Sequence, residues 1–420
     1  MGAGPHHRTL DWLNFFLADV RDGLGPYLAI YLLVVQRWDE ASIGVVMSIG
    51  GIAGIVAQMP AGALIDRTRW KRAVMAGAAL LVTGGSLLLP LLPGFPLVAT
   101  VQAVTGAAGA LFPPAIAAVS LGLVGPRAFT RRIGRNESFN HAGNAVAAAL
   151  AGLAAYAFGP IAVFWLMTAM TVASIIAIAR IDGAAIDHDV ARGLDGEAFP
   201  AQRRAAGQGR DEPSGLGVIL TCRPLLIFAA CASLFHFANA AMLPLVGQKL
   251  ALQDRNLGTT LMSLCIVAAQ LVMVPVAALV GAKADLWGRK PIFLAGFLIL
   301  PLRGVLYTLS DAPYWLVGVQ LLDGIGAGVF GALFPVVVAD LTRGSGRFNV
   351  SQGAIATMQG IGAALSTSVA GLVVVHAGYS AAFLTLAAVA GVALALFALA
   401  MPETRPGAEL SPAVPAPQRC

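Results

Sequence analysis

The chain is 420 residues long, 58% hydrophobic and only 11% charged, with a net charge of +6 and a mean hydropathy of +0.79. Soluble domains carry roughly 25% charged residues, so a water-soluble fold could not hide this much apolar surface. Most apolar runs reach 18 or more residues, close to the roughly 20 that a helix needs to cross a ~30 Å hydrocarbon core. Short alternating segments are absent, which argues against an outer-membrane barrel.

The expected fold is therefore an all-α membrane protein. Twelve spans are read, at 12–35, 42–65, 73–92, 95–124, 141–158, 161–181, 225–246, 258–281, 291–309, 314–339, 350–375 and 381–401. The first has no small-residue cleavage site behind a short apolar core and is taken as a retained helix. With the N-terminus inside, cytoplasmic segments hold 22 of the 27 Lys and Arg, which places both termini in the cytoplasm by the positive-inside rule. Residues 1–181 form a first half of six helices and 217–401 a second. Between them, 182–216 loses its apolar character and reads as a cytoplasmic linker, and the proline-rich 402–420 reads as a disordered tail. Cys222, Cys231, Cys265 and Cys420 show no C-x-x-C spacing, so neither a structural disulfide nor a metal site is expected.

Two hydrophilic stretches 219 residues apart repeat a pattern: Gly62-Ala63-Leu64-Ile65-Asp66-Arg67-Thr68-Arg69-Trp70-Lys71-Arg72 and Gly281-Ala282-Lys283-Ala284-Asp285-Leu286-Trp287-Gly288-Arg289-Lys290. Each has a Gly, an Asp four residues on and then a basic cluster. Gly143 and Gly362, Gly152 and Gly371, and Gly159 and Gly378 repeat at the same interval. The pattern resembles the loop between the second and third helices of major facilitator superfamily (MFS) transporters, and its echo between the eighth and ninth. The resemblance covers roughly residues 10 to 401. It implies two pseudo-symmetric six-helix halves, each an inverted pair of three-helix repeats, with a substrate site at their interface. It further implies that Gly62, Asp66, Arg67, Asp285, Arg289 and Lys290 serve a gate. Asp66 would face the start of the eleventh helix around Arg347 to Asn349, and Asp285 the start of the fifth around Asn136 to Asn140. Asn136, Glu137, Asn140, His141, Asn349 and Gln352 read as gate or capping groups at those helix ends.

A charge inside a span costs about 2.5 to 3.5 kcal/mol on insertion scales and needs a reason. The first helix carries Asp19, Arg21 and Asp22. A spacing of three puts both carboxylates on one face while Arg21 projects about 200° away. The functional reading makes one of them the carrier of a coupling proton, with Asp22, the deeper, preferred. The plain reading makes Arg21 a permanent packing partner. Arg303 of the ninth helix and Asp323 of the tenth lie about 9 and 13 Å from the periplasmic ends at 1.5 Å per residue, within reach of one another. They are read as a fixed salt bridge or as a pair that breaks during transport. His236 is a further proton-coupling candidate. Cys231 and Met242 point about 140° and 240° away from it, so no metal site forms on that helix.

Substrate-cavity candidates are Asn14, Gln58, Gln102, Asn144, Asn239, Gln320 and Gln359, because amides inside spans either face water or bond across helices. Gln102 stands where the superfamily's fourth-helix motif has a basic residue. The antiporter motif of the fifth helix is matched by Gly143 and Gly152, but Tyr156-Ala157 replace its Gly-Pro. Pro402-Glu403-Thr404-Arg405 resembles the end of sugar porters, whose element after the sixth helix is missing. Proton-coupled efflux of a small amphipathic compound therefore ranks above uptake of a sugar or other metabolite, with a receptor of the same fold as the non-transport alternative. None of the four lysines lies in a Walker motif, and no H-E-x-x-H or G-x-S-x-G occurs, so no ATPase or other enzyme is read. No cofactor and no nucleic acid is expected. The partners are a small molecule, protons and lipid, and the chain is read as a monomer in a bacterial inner membrane.

Overall fold

A computed structural model of the chain describes residues 5–22, 24–159, 161–194, 220–253 and 255–405. The helices in chain order are α1 (Pro5–Asp22), α2 (Leu24–Val34), α3 (Glu40–Arg67), α4 (Lys71–Leu88), α5 (Phe95–Gly109), α6 (Phe112–Phe158), α7 (Ala162–Ala179) and α8 (His188–Ala191). They continue with α9 (Arg223–Ala240), α10 (Met242–Gln253), α11 (Arg255–Trp287), α12 (Arg289–Leu306), α13 (Pro313–Leu341) and α14 (Phe348–Ala400). No strand occurs among the described residues. Eight stretches of these helices are long and apolar enough to cross a membrane.

The chain packs as two units. One holds Met1–Phe129, Phe139–Arg203 and Arg347–Gly353, the other Thr130–Ser138, Arg204–Gly346 and Ala354–Cys420. Helices α6 and α14 therefore each contribute to both. Each of the two carries one internal break, at Gly125 (φ 71°) and Gly378 (φ 82°). A left-handed φ is open to glycine without the Cβ clash other residues meet, so these two positions turn what would be one very long rod into two helices.

Several boundaries differ from the sequence reading. Helix begins at Pro5, seven residues ahead of the first expected span. The seventh span is cut between Ala240 and Met242. Residues 127–135, read as a hydrophilic cytoplasmic connection, are helical from Pro126 onward, because Pro is well placed in the first turn of a helix. Part of the expected linker is ordered: Asp187 caps α8, its carboxylate accepting from the N–H groups of Asp189 (2.9 Å) and Val190 (3.0 Å). The rest of the linker, 195–216, and the tail beyond 405 lie outside the described residues. Cys222 is disulfide-bonded. This corrects the expectation of none, since scattered cysteines give no spacing signal for a pairing; Cys231 and Cys265 are buried free thiols.

In the first unit Leu10, Leu13 and Leu17 of α1 share a core with Met75 of α4, Val119 of α6 and Ile178 of α7. In the second, Phe228, Phe235, Phe293, Phe297, Phe330 and Phe397 pack ring against ring, mostly edge to face, across α9, α12, α13 and α14. The 219-residue repeat also appears in packing. A Cβ on Gly143 would lie 2.1 Å from the carbonyl oxygen of Phe15, and one on Gly362 would lie 2.3 Å from that of Ser233. Small residues that let backbones touch are how helices associate where burial from water supplies little drive.

Candidate functional site

Asp66 lies in the last turn of α3 and is buried. Its carboxylate accepts from the backbone N–H of Asn349 (3.2 Å) and Val350 (2.8 Å) and from Asn349 Nδ2 (2.8 Å). Those two amides belong to the first turn of α14, whose N–H groups have no intrahelical partner, and a negative charge is favoured there by the helix dipole. Gly62, one turn earlier, lets α3 close on this end: a Cβ there would sit 2.1 Å from Asn349 O. Asn349 Nδ2 also donates to Ala191 O (3.0 Å), and Phe348 N to Arg192 O (3.1 Å), which ties the ordered linker turn to the same helix start. Gln352 Nε2 donates to Asn349 Oδ1 (3.3 Å). Arg67 is exposed.

In the second unit the matching position is organised around Arg289, which is buried. Its guanidinium donates to Asp285 (2.7 Å), Asp340 (2.9 Å), Ala284 O (3.2 Å) and Thr130 Oγ1 (3.1 Å). Asp285 thus engages Arg289, and it is Arg289 that reaches α6, at Thr130, six residues before Asn136. Asn136 instead accepts from Arg132 Nε (2.8 Å). The start of α12 is capped from the chain end: Glu403 accepts from the N–H of Arg289 (2.9 Å) and of Lys290 (3.1 Å). Arg405 donates to Leu286 O (2.8 Å).

The backbone approaches at the two motifs are related by the same 219-residue shift. Gly353 meets Gln58 O at 2.2 Å and Gly134 meets Ala277 O at 2.6 Å, measured from an added Cβ; Gly62 meets Asn349 O and Gly281 meets Thr130 O (3.3 Å). The frame is symmetric; the charges laid on it are not. In one unit an acid meets helix N–H groups directly, and in the other a buried arginine holds two acids and a threonine.

The second unit also holds a buried polar network. Arg303 of α12 pairs with Asp323 of α13 and donates to Asn239 Oδ1 of α9 (2.7 Å). Gln320 Nε2 donates to Asp323 (3.0 Å), and Tyr307 OH donates to Gln320 Oε1. Arg303, Gln320 and Tyr307 are essentially inaccessible. His236, one turn before Asn239, packs edge-on against Phe330 (ring centroids 4.8 Å), and its Nδ1–H donates to Ala232 O (2.9 Å). That bond leaves Nε2 as the acceptor nitrogen. The amide nitrogen of Gln359 is buried with no hydrogen-bond partner among the described residues.

The Major Facilitator Superfamily model matches residues 12–300 and 225–419. The chain belongs to the Major Facilitator Superfamily. An uncharacterized MFS-type transporter of Mycobacterium tuberculosis, found in two strains, is 60% identical over 397 residues, covering 94% of this chain and 93% of the relative. Among solved structures the chain is similar in fold to the proton:xylose symporter XylE bound to 6-bromo-6-deoxy-D-glucose, with TM-score 0.73, 12% identity and 96% of each chain covered. It is similar to FucP in the outward conformation, with TM-score 0.72, 15% identity, and 94% of this chain and 98% of that one covered. It is also similar to the human organic anion transporter MFSD10, with TM-score 0.68, 15% identity, and 94% and 100% covered. The chain is a multi-pass membrane transporter, of a family that binds small molecules within a lipid membrane and whose members are typically not enzymes.

Within this MFS chain the second-half candidates Arg303, Asp323, Asn239 and Gln320 come together in one network. Asn14 donates to Leu10 O of its own helix (2.7 Å), and Gln102 Nε2 lies 3.6 Å from Met47 Sδ. Gln58 and Asn144 are half-buried, Asp19 is buried and Arg21 is half-buried. The side chain of Asp22 lies outside the described residues. Thr130, Tyr307 and Asp340 were not singled out by the sequence reading. Asp340 falls one residue beyond the tenth expected span, where a charge needs no explanation, and a Thr or Tyr within an apolar helix gives no signal. Glu403 stood in a motif whose contact with the second loop nothing in the sequence announced.

Proposed function

We propose that the chain is a secondary active transporter that moves a small solute by alternating access and exports a small amphipathic compound at the expense of the proton gradient. The observation that supports alternating access is the Asp66 contact with the start of α14; export and proton coupling rest on the sequence pattern. A carboxylate held by two backbone N–H groups and one amide makes a latch worth about 0.3 to 2 kcal/mol, enough to bias a nearly balanced two-state equilibrium and weak enough to open in each cycle. Arg67, Asp285, Arg289 and Lys290 act with it at the same end of the spans. The chain then crosses the membrane twelve times, its two long helices being divided at Gly125 and Gly378. Both termini lie in the cytoplasm of a bacterium, and the monomer works without a cofactor.

With no nucleotide motif in the sequence, uphill movement draws on an ion gradient, and Asp19 and Asp22 form the paired-carboxylate face inside a span. Asp22 carries the proton, Arg21 balances the buried charge nearby, and Asp323 and His236 are the next candidates. The Arg303 network, with Asn239 and the buried Gln320 in it, holds the second half's cavity wall; Gln359 offers a polar contact to the solute from the second half, and Gln58, Gln102 and Asn144 do so from the first, where the buried Asn14 supports its own helix.

Growth of a sensitive host expressing the chain, across toxic organics, metals and nutrients, identifies the solute. Counterflow of that solute in protein-only liposomes then tests transport itself. Resistance to amphipathic compounds supports export; enhanced growth on a limiting sugar would replace it with uptake, and absence of counterflow would leave a receptor.

A further inference from the structure

We propose that the first unit carries a second binding site, for a phosphate group, in a cavity of about 440 Å³ where α4 begins and α7 ends. The volume falls within the range of small-ligand sites. Its polar rim is basic: Arg69, Arg72 and His188, with Trp70 beside them. Its floor is apolar, from Ala76 of α4 and Ile175 of α7 among others.

The two arginines and the imidazole of the rim are placed to receive an anion. Arg72 is fixed by donating from Nε to Ile178 O (3.1 Å) and from Nη2 to Ala179 O (2.9 Å), and its Nη1 lies over Gly183, 2.9 Å from where a Cβ would be. Arg69 is exposed and has no ion-pair partner among the described residues. His188 Nδ1 is buried without a hydrogen-bond partner among them. The nearby acids are already engaged: Asp187 caps α8 and Asp189 pairs with Arg192 at 2.7 Å. Burial first, and then the charges of Lys71 and Arg69, hold His188 below the usual histidine value, although Asp187 and Asp189 pull the other way. Asp187 and Asp189 offset part of the positive charge of Arg69, Lys71 and Arg72, but each is held in a contact of its own.

An amphipathic phosphate fits this shape better than a free one. One turn further along the same helices from Ala76 and Ile175, Leu80 (58%) and Val172 (53%) stay exposed, apolar surface on which an acyl chain can lie while its headgroup meets the arginines. Basic pockets between helices at the membrane surface are suited to anionic headgroups, each Lys or Arg near the surface adding about 1 kcal/mol.

The test uses the full-length chain purified in detergent, titrated with phosphatidylglycerol, phosphatidylcholine and inorganic phosphate, and read by native mass spectrometry and melting temperature. It needs neither a substrate nor a gradient, so its outcome is independent of the transport mechanism proposed above. Expected is retention of one phosphatidylglycerol and none of phosphatidylcholine, with displacement by phosphate marking a soluble source and resistance to it a lipid source. Arg69→Ala weakens binding about tenfold, as the loss of one charge-assisted contact, Ala73→Phe fills the cavity and abolishes it, and Lys283→Ala in the other unit leaves it unchanged. Binding of neither phosphatidylglycerol nor phosphate, or wild-type affinity in both Arg69→Ala and Ala73→Phe, would overturn the site. Both positions are exposed, so neither substitution removes a buried contact, and melting temperature without ligand checks that each variant is folded.

Discussion

The carboxylate of Asp66 meets the backbone N–H of Val350 at 2.8 Å, across 284 residues of sequence. Asp66→Asn keeps one acceptor oxygen but removes the charge and turns an NH2 group towards other donors. The variant should lose about 0.3 to 2 kcal/mol at this contact, and a cysteine placed at the buried Ser351 should react with a water-soluble maleimide up to roughly tenfold faster. Unchanged labelling together with unchanged transport would remove Asp66 from gating.

Gly143→Ala should be costly and Gly84→Ala should not. The added methyl at 143 would lie 2.1 Å from Phe15 O, whereas nothing lies within 4 Å of the same atom at 84. Overpacking typically costs about 1 to 3 kcal/mol, while Ala in an open helical position gains up to about 1 kcal/mol over Gly. Melting temperatures in one detergent check both, and equal stability of the two variants would contradict the close α1–α6 approach.

Removing one partner of the Arg303–Asp323 pair leaves a buried charge without its counter-ion, at a cost of about 3 to 5 kcal/mol. Arg303→Gln and Asp323→Asn should each lower the folded yield sharply, and the double variant should recover part of the loss. If the double variant retains transport, the pair is structural. If it folds but does not transport, the pair opens during the cycle.

His188 gives a pH signature. Its folded value lies below its unfolded one, so the unfolded chain binds the proton more readily and stability falls as pH drops through about 6.5 towards the folded value. His188→Gln should flatten that part of the melting profile, and a profile of wild-type shape would show that the group is not perturbed.

Much of the architecture is legible in the sequence because apolarity must be continuous across a bilayer, and the repeat is legible because backbone contacts demand glycine at fixed places such as Gly143 and Gly362. The placement of Asp66 beside Asn349 is what the resemblance of its motif to the superfamily loop implied. The departures come from contacts with no local signature. Thr130 and Asp340 become significant only because Arg289 reaches both, and Tyr307 because it lies one turn from Arg303 and opposite Gln320. Glu403 caps α12 from 113 residues away or more. Helix from Pro126 onward was hidden because its exposed, charged face reads as a loop.

The central claim, proton-coupled transport through the first helix, is tested most directly by substrate-dependent pH change in proteoliposomes containing the chain alone, with the solute found by growth screening. The wild type should move protons as the solute crosses. Asp22→Asn should lose that signal and all uphill accumulation yet keep counterflow, because a permanently neutral side chain mimics the protonated state, and Asp19→Asn should be milder. Full gradient-driven accumulation by Asp22→Asn would contradict the account and move proton coupling to Asp323 or His236.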